Sequence, residues 1–152
     1  MSRAEDEVWM KAAMQQAALS QQRGDLGVGA VIVAAGKQLA SGGNEVRSSG
    51  DLTAHAEIVA LRQLRSAAPP NGLTLYATFE PCPMCAGAAL VAGVTRIVIG
   101  GVRDRSDETW GEYAPELFQR FRSRRAQTLT VEQGPFRDEC IALRGGNSGP
   151  GR

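Results

Sequence analysis

Only one histidine and three cysteines occur in the 152 residues. An odd cysteine count does not suggest a disulfide framework, so Cys82, Cys85 and Cys140 are expected to be reduced thiols. No apolar run reaches the roughly 18 to 20 residues needed to cross a bilayer, so no membrane association is expected. The first seven residues are acidic and polar and do not read as a secretory signal, which gives a cytoplasmic expectation. A strong net charge is also missing. The total is +1, so the whole molecule projects no strong field toward nucleic acid.

What is present suits a packed protein. Hydrophobic residues make up 43%, enough for one core. The length suits one domain, taken as residues 1–144. Residues 145–152 are rich in Gly, Ser and Pro and are expected to be disordered. Positive charge gathers at Arg120, Arg122, Arg124 and Arg125, which read either as a solvated helix face or as a phosphate-contacting patch.

Apolar spacings of three and four predict a helix over 4–22, ended by Gly24. Residues 26–34 are an apolar, β-branched run and predict a buried strand. A turn at Ala35-Gly36-Lys37 leads into a second strand over 37–42. A polar loop from Gly43 to Leu52 follows. Thr53 is placed to cap a helix over 54–66, with Ile58, Val59, Leu61 and Leu64 inward. Strands are predicted over 73–79, 94–100 and 127–132. Helices are predicted from Pro83 to about Ala92, over 112–124, and from about Phe136. This alternation of strands and helices predicts an α/β sheet covered on both faces.

Two short segments carry chemistry: Thr53-Ala54-His55-Ala56-Glu57 and Glu80-Pro81-Cys82-Pro83-Met84-Cys85. Cys82 and Cys85 are three apart, so one helical turn brings them to the same side. A helix N-terminus favours negative charge and so favours thiolates. Two thiolates and one neutral imidazole would neutralise a zinc ion and leave its fourth position for water, as in catalytic zinc sites. Water bound there loses a proton near neutral pH. Glu57 offers a carboxylate to move that proton. Taken alone, the cysteine pair also fits a redox couple or half of a structural zinc site. Two residues along a regular helix turn about 200°, so helical spacing alone does not aim His55 and Glu57 at one point.

His55-x-Glu57 followed by Pro81-Cys82-x-x-Cys85 resembles the signature of zinc deaminases. The chain is similar to the cytidine-deaminase-like superfamily, in the branch of tRNA adenosine deaminases, guanine deaminases and fungal-type cytosine deaminases. The likeness rests on Gly27 to Val31, the Asn44 loop, Thr53 to Ile58, and Thr74 through Ala88. The resemblance implies a three-layer α/β/α sandwich around a mixed five-stranded sheet. It implies one Zn2+ per chain on His55, Cys82 and Cys85, with Glu57 shuttling protons. It implies that Asn44 hydrogen-bonds the base, that the Ala56 N–H faces its edge, and that Val28 forms a wall. A homodimer is a further implication.

The C-terminal third departs from the tRNA-editing pattern. Where those relatives carry small residues and then an Asn-His pair, this chain has Arg105 to Tyr113. Trp110 and Tyr113 are candidates to stack on a flat base, and Glu108 or Glu112 to reach a ring N–H. The first expectation is therefore release of ammonia from a free nucleobase or nucleoside such as cytosine, guanine or a related heterocycle. The second is tRNA wobble adenosine deamination. The third is a zinc-binding domain without turnover, against which the presence of Glu57 argues.

Overall fold

The computed structural model describes residues 2–65, 69, 71–104, 106, 109–122 and 127–145. The expected tail beyond 145, Glu108, Arg124 and Arg125 lie outside these. Helix α1 spans Arg3–Gln22. Ser2 and Glu5 cap it reciprocally: the Glu5 N–H donates to Ser2 Oγ at 3.3 Å and the Ser2 N–H to Glu5 Oε2 at 2.7 Å. Met10, Ala13, Ala17 and Ser20 recur at three and four and form its buried face.

Strands β1 (Gly29–Ala34) and β2 (Lys37–Gly43) form the expected hairpin. Its turn residues Ala35 and Gly36 both have positive φ, 49° and 70°, the condition for a tight two-residue turn. β1 pairs only from Gly29, not from 26, because residues 23–28 turn out of α1 first. The polar loop contains a short helix, α2 (Val46–Ser49), that alternation of residue type does not reveal.

Helix α3 covers Ala56–Leu61, not 54–66. Thr53 does not cap it; its hydroxyl donates instead to Asp51 Oδ1 at 2.7 Å. His55 occupies the cap position in extended backbone. The buried residues of α3 are Ala56, Glu57 and Ala60; Leu61 and Leu64 pack partly buried against the core as expected, and Ile58 and Val59 are half-buried.

Strand β3 (Leu73–Phe79), helix α4 (Pro83–Ala92) and strand β4 (Val94–Gly101) follow the sequence expectation closely. The expected helix over 112–124 is instead a 3-10 helix, Pro115–Arg120. Three-residue spacing puts Pro115 and Phe118 on one side, where Phe118 meets α4 at Gly87. Arg120 and Arg122 are exposed. Strand β5 is Thr130–Gln133 and α5 is Arg137–Arg144.

The sheet order is β2-β1-β3-β4-β5. β1 runs antiparallel to β2 and β3, whereas β3, β4 and β5 are parallel. Alternate residues feed two cores. Ala30, Ile32, Leu75, Ile97 and Ile99 pack with Ala56, Ala60 and Ala89 of α3 and α4. Val31, Val33, Tyr76 and Val98 pack with Met10, Ala13 and Cys140 of α1 and α5. Helices thus cover both faces of a mixed five-stranded sheet. Cys140 is a buried, small apolar residue there. The starts of α3 and α4 meet, since their cap residues His55 and Cys82 are in contact just past the end of β3.

Candidate active site

The site is built on those two helix starts. His55 precedes α3 with φ −67° and ψ 153°, and Cys82 precedes α4 with φ −69° and ψ 171°. Neither side chain caps its helix, so both turn elsewhere. His55 Nδ1 lies 3.5 Å from Cys82 Sγ and 3.5 Å from Cys85 Sγ, and the sulfurs are 3.6 Å apart. Among the described residues this is the cluster of histidine, cysteine and carboxylate ligand atoms close enough to hold a metal. Zinc bonds of about 2.3 Å to sulfur and about 2.0–2.1 Å to nitrogen give tetrahedral edges of about 3.6–3.8 Å. The observed triangle matches one face of that tetrahedron. The residues present therefore fit zinc, with a fourth corner not taken by these three side chains.

Electrostatics agree. The hydrogen bond between Cys82 and Cys85, with help from His55, holds the Cys82 thiol down at about 4 despite partial burial. The same bond, followed by burial, pushes Cys85 up. Left to itself the pair keeps a proton; a divalent cation held there would bring both sulfurs to thiolate. His55 is raised by its bond to Cys82. Glu57 is 3% exposed, and burial is the main cause that raises its carboxyl.

One cavity is lined by Val28, Asn44, His55, Ala56, Glu57, Cys82, Trp110 and Tyr113, while Cys85 lies buried behind it. The sequence-derived residues thus converge on one place. Glu112 is exposed and does not line the cavity. Asn44 is 4% exposed, and its Oδ1 accepts the Val46 N–H at 3.2 Å.

Other lining residues have no role assigned from sequence. Glu80 and Arg103 form an ion pair, Oε1 to Nε 3.3 Å, with both side chains nearly enclosed. Arg103 Nη2 also donates to the Tyr113 carbonyl at 2.7 Å. Arg144, at the end of α5, lies over the Phe79 ring 4.4 Å from its centroid. These partners are far apart in the chain, so no local spacing announces them.

The model of the cytidine and deoxycytidylate deaminase zinc-binding region matches residues 3–101. The chain is 32% identical over 141 residues to the tRNA-specific adenosine deaminase of Buchnera aphidicola subsp. Schizaphis graminum, covering 91% of this chain and 90% of that one. A structure from studies of A-to-I editing by tRNA:A34 deaminases at the wobble position of transfer RNA matches with a TM-score of 0.73 at 30% identity. It covers 90% of this chain and 99% of the other. A mutant of NE0047 in complex with 8-azaguanine matches with a TM-score of 0.74 at 24% identity, over 91% of this chain and 81% of the other. At that identity the likeness shows the shared fold alone.

Proposed function

The chain belongs to the family defined by the cytidine and deoxycytidylate deaminase zinc-binding region, and we propose that it converts the wobble adenosine of a tRNA to inosine. The observation that carries this substrate is the match along 91% of the chain to a tRNA-specific adenosine deaminase. It reverses the order expected from sequence, where a free base or nucleoside stood first.

His55, Cys82 and Cys85 would hold the zinc, which would acidify a water bound beside the amino-bearing ring carbon. Glu57 takes one proton from the attacking water and delivers it to the adjacent ring nitrogen as oxygen bonds to the ring carbon; it then carries the remaining hydroxyl proton to the amino group, whose C–N bond breaks to release ammonia. Its enclosed carboxyl is shielded from bulk water, so the proton stays in the site. Asn44 orients the base; its Oδ1 is fixed by Val46, which leaves the NH2 end to donate. Ala56 is the first residue of α3, so its N–H has no partner within the helix and serves the base edge. Val28 forms a wall, and Trp110 and Tyr113 stack on the base. The adenosine must leave its stack to enter.

The same reading includes a cytoplasmic homodimer. Among the described residues no helix is long and apolar enough to cross a membrane. Val91 of α4 is 68% exposed and Leu117 47%, so both are apolar side chains available to a second copy.

A free base or nucleoside is the second reading. The segment from Arg105 to Tyr113, which departs from the tRNA-editing pattern, favours it. A zinc domain without turnover is disfavoured by the enclosed Glu57, which a structural site does not need.

The test is a substrate panel: an anticodon stem-loop RNA with adenosine at the wobble position, and free cytosine, guanine, cytidine and adenosine. Inosine and ammonia from the stem-loop are expected. Turnover of a free compound with none of the stem-loop would replace the first reading by the second.

A further inference from the structure

A buried carboxylate that the chemistry does not use stands behind the base-binding loop. Asp25 lies between α1 and β1, and its side chain is wholly enclosed. Oδ1 accepts the N–H groups of Arg47 at 2.8 Å and Ser48 at 2.9 Å, 22 and 23 residues further along the chain. These are first-turn donors of α2, which the side chain of its own preceding residue, Glu45, does not cap. Asp25 therefore caps α2 from a distant segment.

The other oxygen has no hydrogen-bond partner among the described residues and faces Arg23 Nε at 3.7 Å. Arg23 in turn donates through Nη2 to the Asn44 carbonyl at 3.3 Å and to Ser20 Oγ at 3.1 Å. Asn44 is fixed further by its N–H on the Val28 carbonyl at 2.9 Å and by Oδ1 on the Val46 N–H at 3.2 Å. Val46 begins α2, so the residue that orients the Asn44 amide belongs to the helix that Asp25 holds. Burial pushes the Asp25 carboxyl up, but the bonds from Ser48 and Arg47 and the charge of Arg23 outweigh it, so the group stays anionic.

Enclosing a carboxylate is costly, and an apolar side chain would fill the same space more cheaply. The cost is understandable if the charge sets a geometry that packing alone leaves loose. We propose that Asp25 is a positioning residue for Asn44, acting through α2 and Arg23 to hold the amide that meets the substrate base. This rests on the reading of Asn44 as a base contact.

A kinetic double-mutant cycle tests it, using zinc-loaded full-length protein and the anticodon stem-loop RNA. Asp25→Asn keeps the shape and removes the charge. It should lower kcat/KM about tenfold, mainly through KM, with zinc content unchanged. Placed on Asn44→Ala it should do nothing further, because the group it positions is gone. Additive losses would overturn the proposal and make Asp25 a merely structural residue. If Asp25→Asn does not fold, the more exposed Arg23→Met replaces it, with a smaller loss and the same non-additivity expected. Asn44→Ala with unaltered kcat/KM would sink the base-contact reading, and the proposal with it. If the stem-loop is not turned over by the unmodified protein, only the tRNA reading is lost. The cycle is then read on free cytosine or guanine.

Discussion

The Tyr113 hydroxyl donates to the Pro81 carbonyl at 2.8 Å. Pro81 adjoins the zinc-ligand candidate Cys82, so one hydrogen bond ties the aromatic wall to the metal loop. Arg103 reinforces the tie by holding the Tyr113 carbonyl and Glu80 together. Tyr113→Phe keeps the ring and removes the bond. It should cost about 1 kcal/mol, or a thermal midpoint lower by about 2–4 °C. Zinc should also pass faster to a competing chelator. Thermal unfolding and chelator competition check both, and no change in either would mean the bond is idle.

Gly42 lets α3 approach the sheet. A Cβ there would lie 2.8 Å from the Ala56 carbonyl oxygen, 2.8 Å from the Ala60 nitrogen and 2.9 Å from Val59 Cβ. Backbone cannot yield as a side-chain tip can, so Gly42→Ala must push α3 outward, with His55 at its start. A loss of about 1–3 kcal/mol is expected, together with weaker zinc binding. Denaturant unfolding and zinc titration report the two effects.

Zinc ligation couples to folding because the ligand set is assembled only in the native chain. Chelation should abolish ammonia release, and added zinc should restore it. The thermal midpoint should rise with free zinc, by about 2.7 kcal/mol of stability at a hundredfold excess over Kd. Cys82→Ser should flatten that dependence. A midpoint indifferent to zinc in the unmodified protein would count against the site.

Asp6 joins α1 to the sheet. It receives Arg96 at 2.8 and 2.9 Å and the Tyr76 hydroxyl at 2.7 Å. The Arg96 bond, assisted by Tyr76, holds its carboxyl below the ordinary 3.8. Its stabilisation is therefore complete above pH 3.8 and is lost as pH falls through the lower folded value. Asp6→Asn should cost about 1 kcal/mol at neutral pH, allowing for solvent screening. It should also remove part of the fall in thermal midpoint below pH 3.8, which a pH series of melts measures.

The strands are legible because apolar, β-branched runs are local signals, and α1 and α4 because spacings of three and four and Pro83 at a first helical position are. The ligand set was legible because the residues themselves are scarce. The convergence of His55 with Glu57 was not, because it depends on His55 lying outside α3 in extended backbone, where 100° per residue does not apply. The 3-10 form of Pro115–Arg120 is not legible, because local sequence does not show Phe118 meeting α4 at Gly87. The short α2 was hidden because its cap, Asp25, comes from another segment.

The most direct measurement is ammonia release by Glu57→Gln protein shown by elemental analysis to hold one zinc per chain. The account predicts that zinc and fold persist while turnover falls by about 100-fold or more. Turnover at the unmodified rate, with zinc in place, would remove Glu57 from the chemistry and contradict the mechanism proposed for this site.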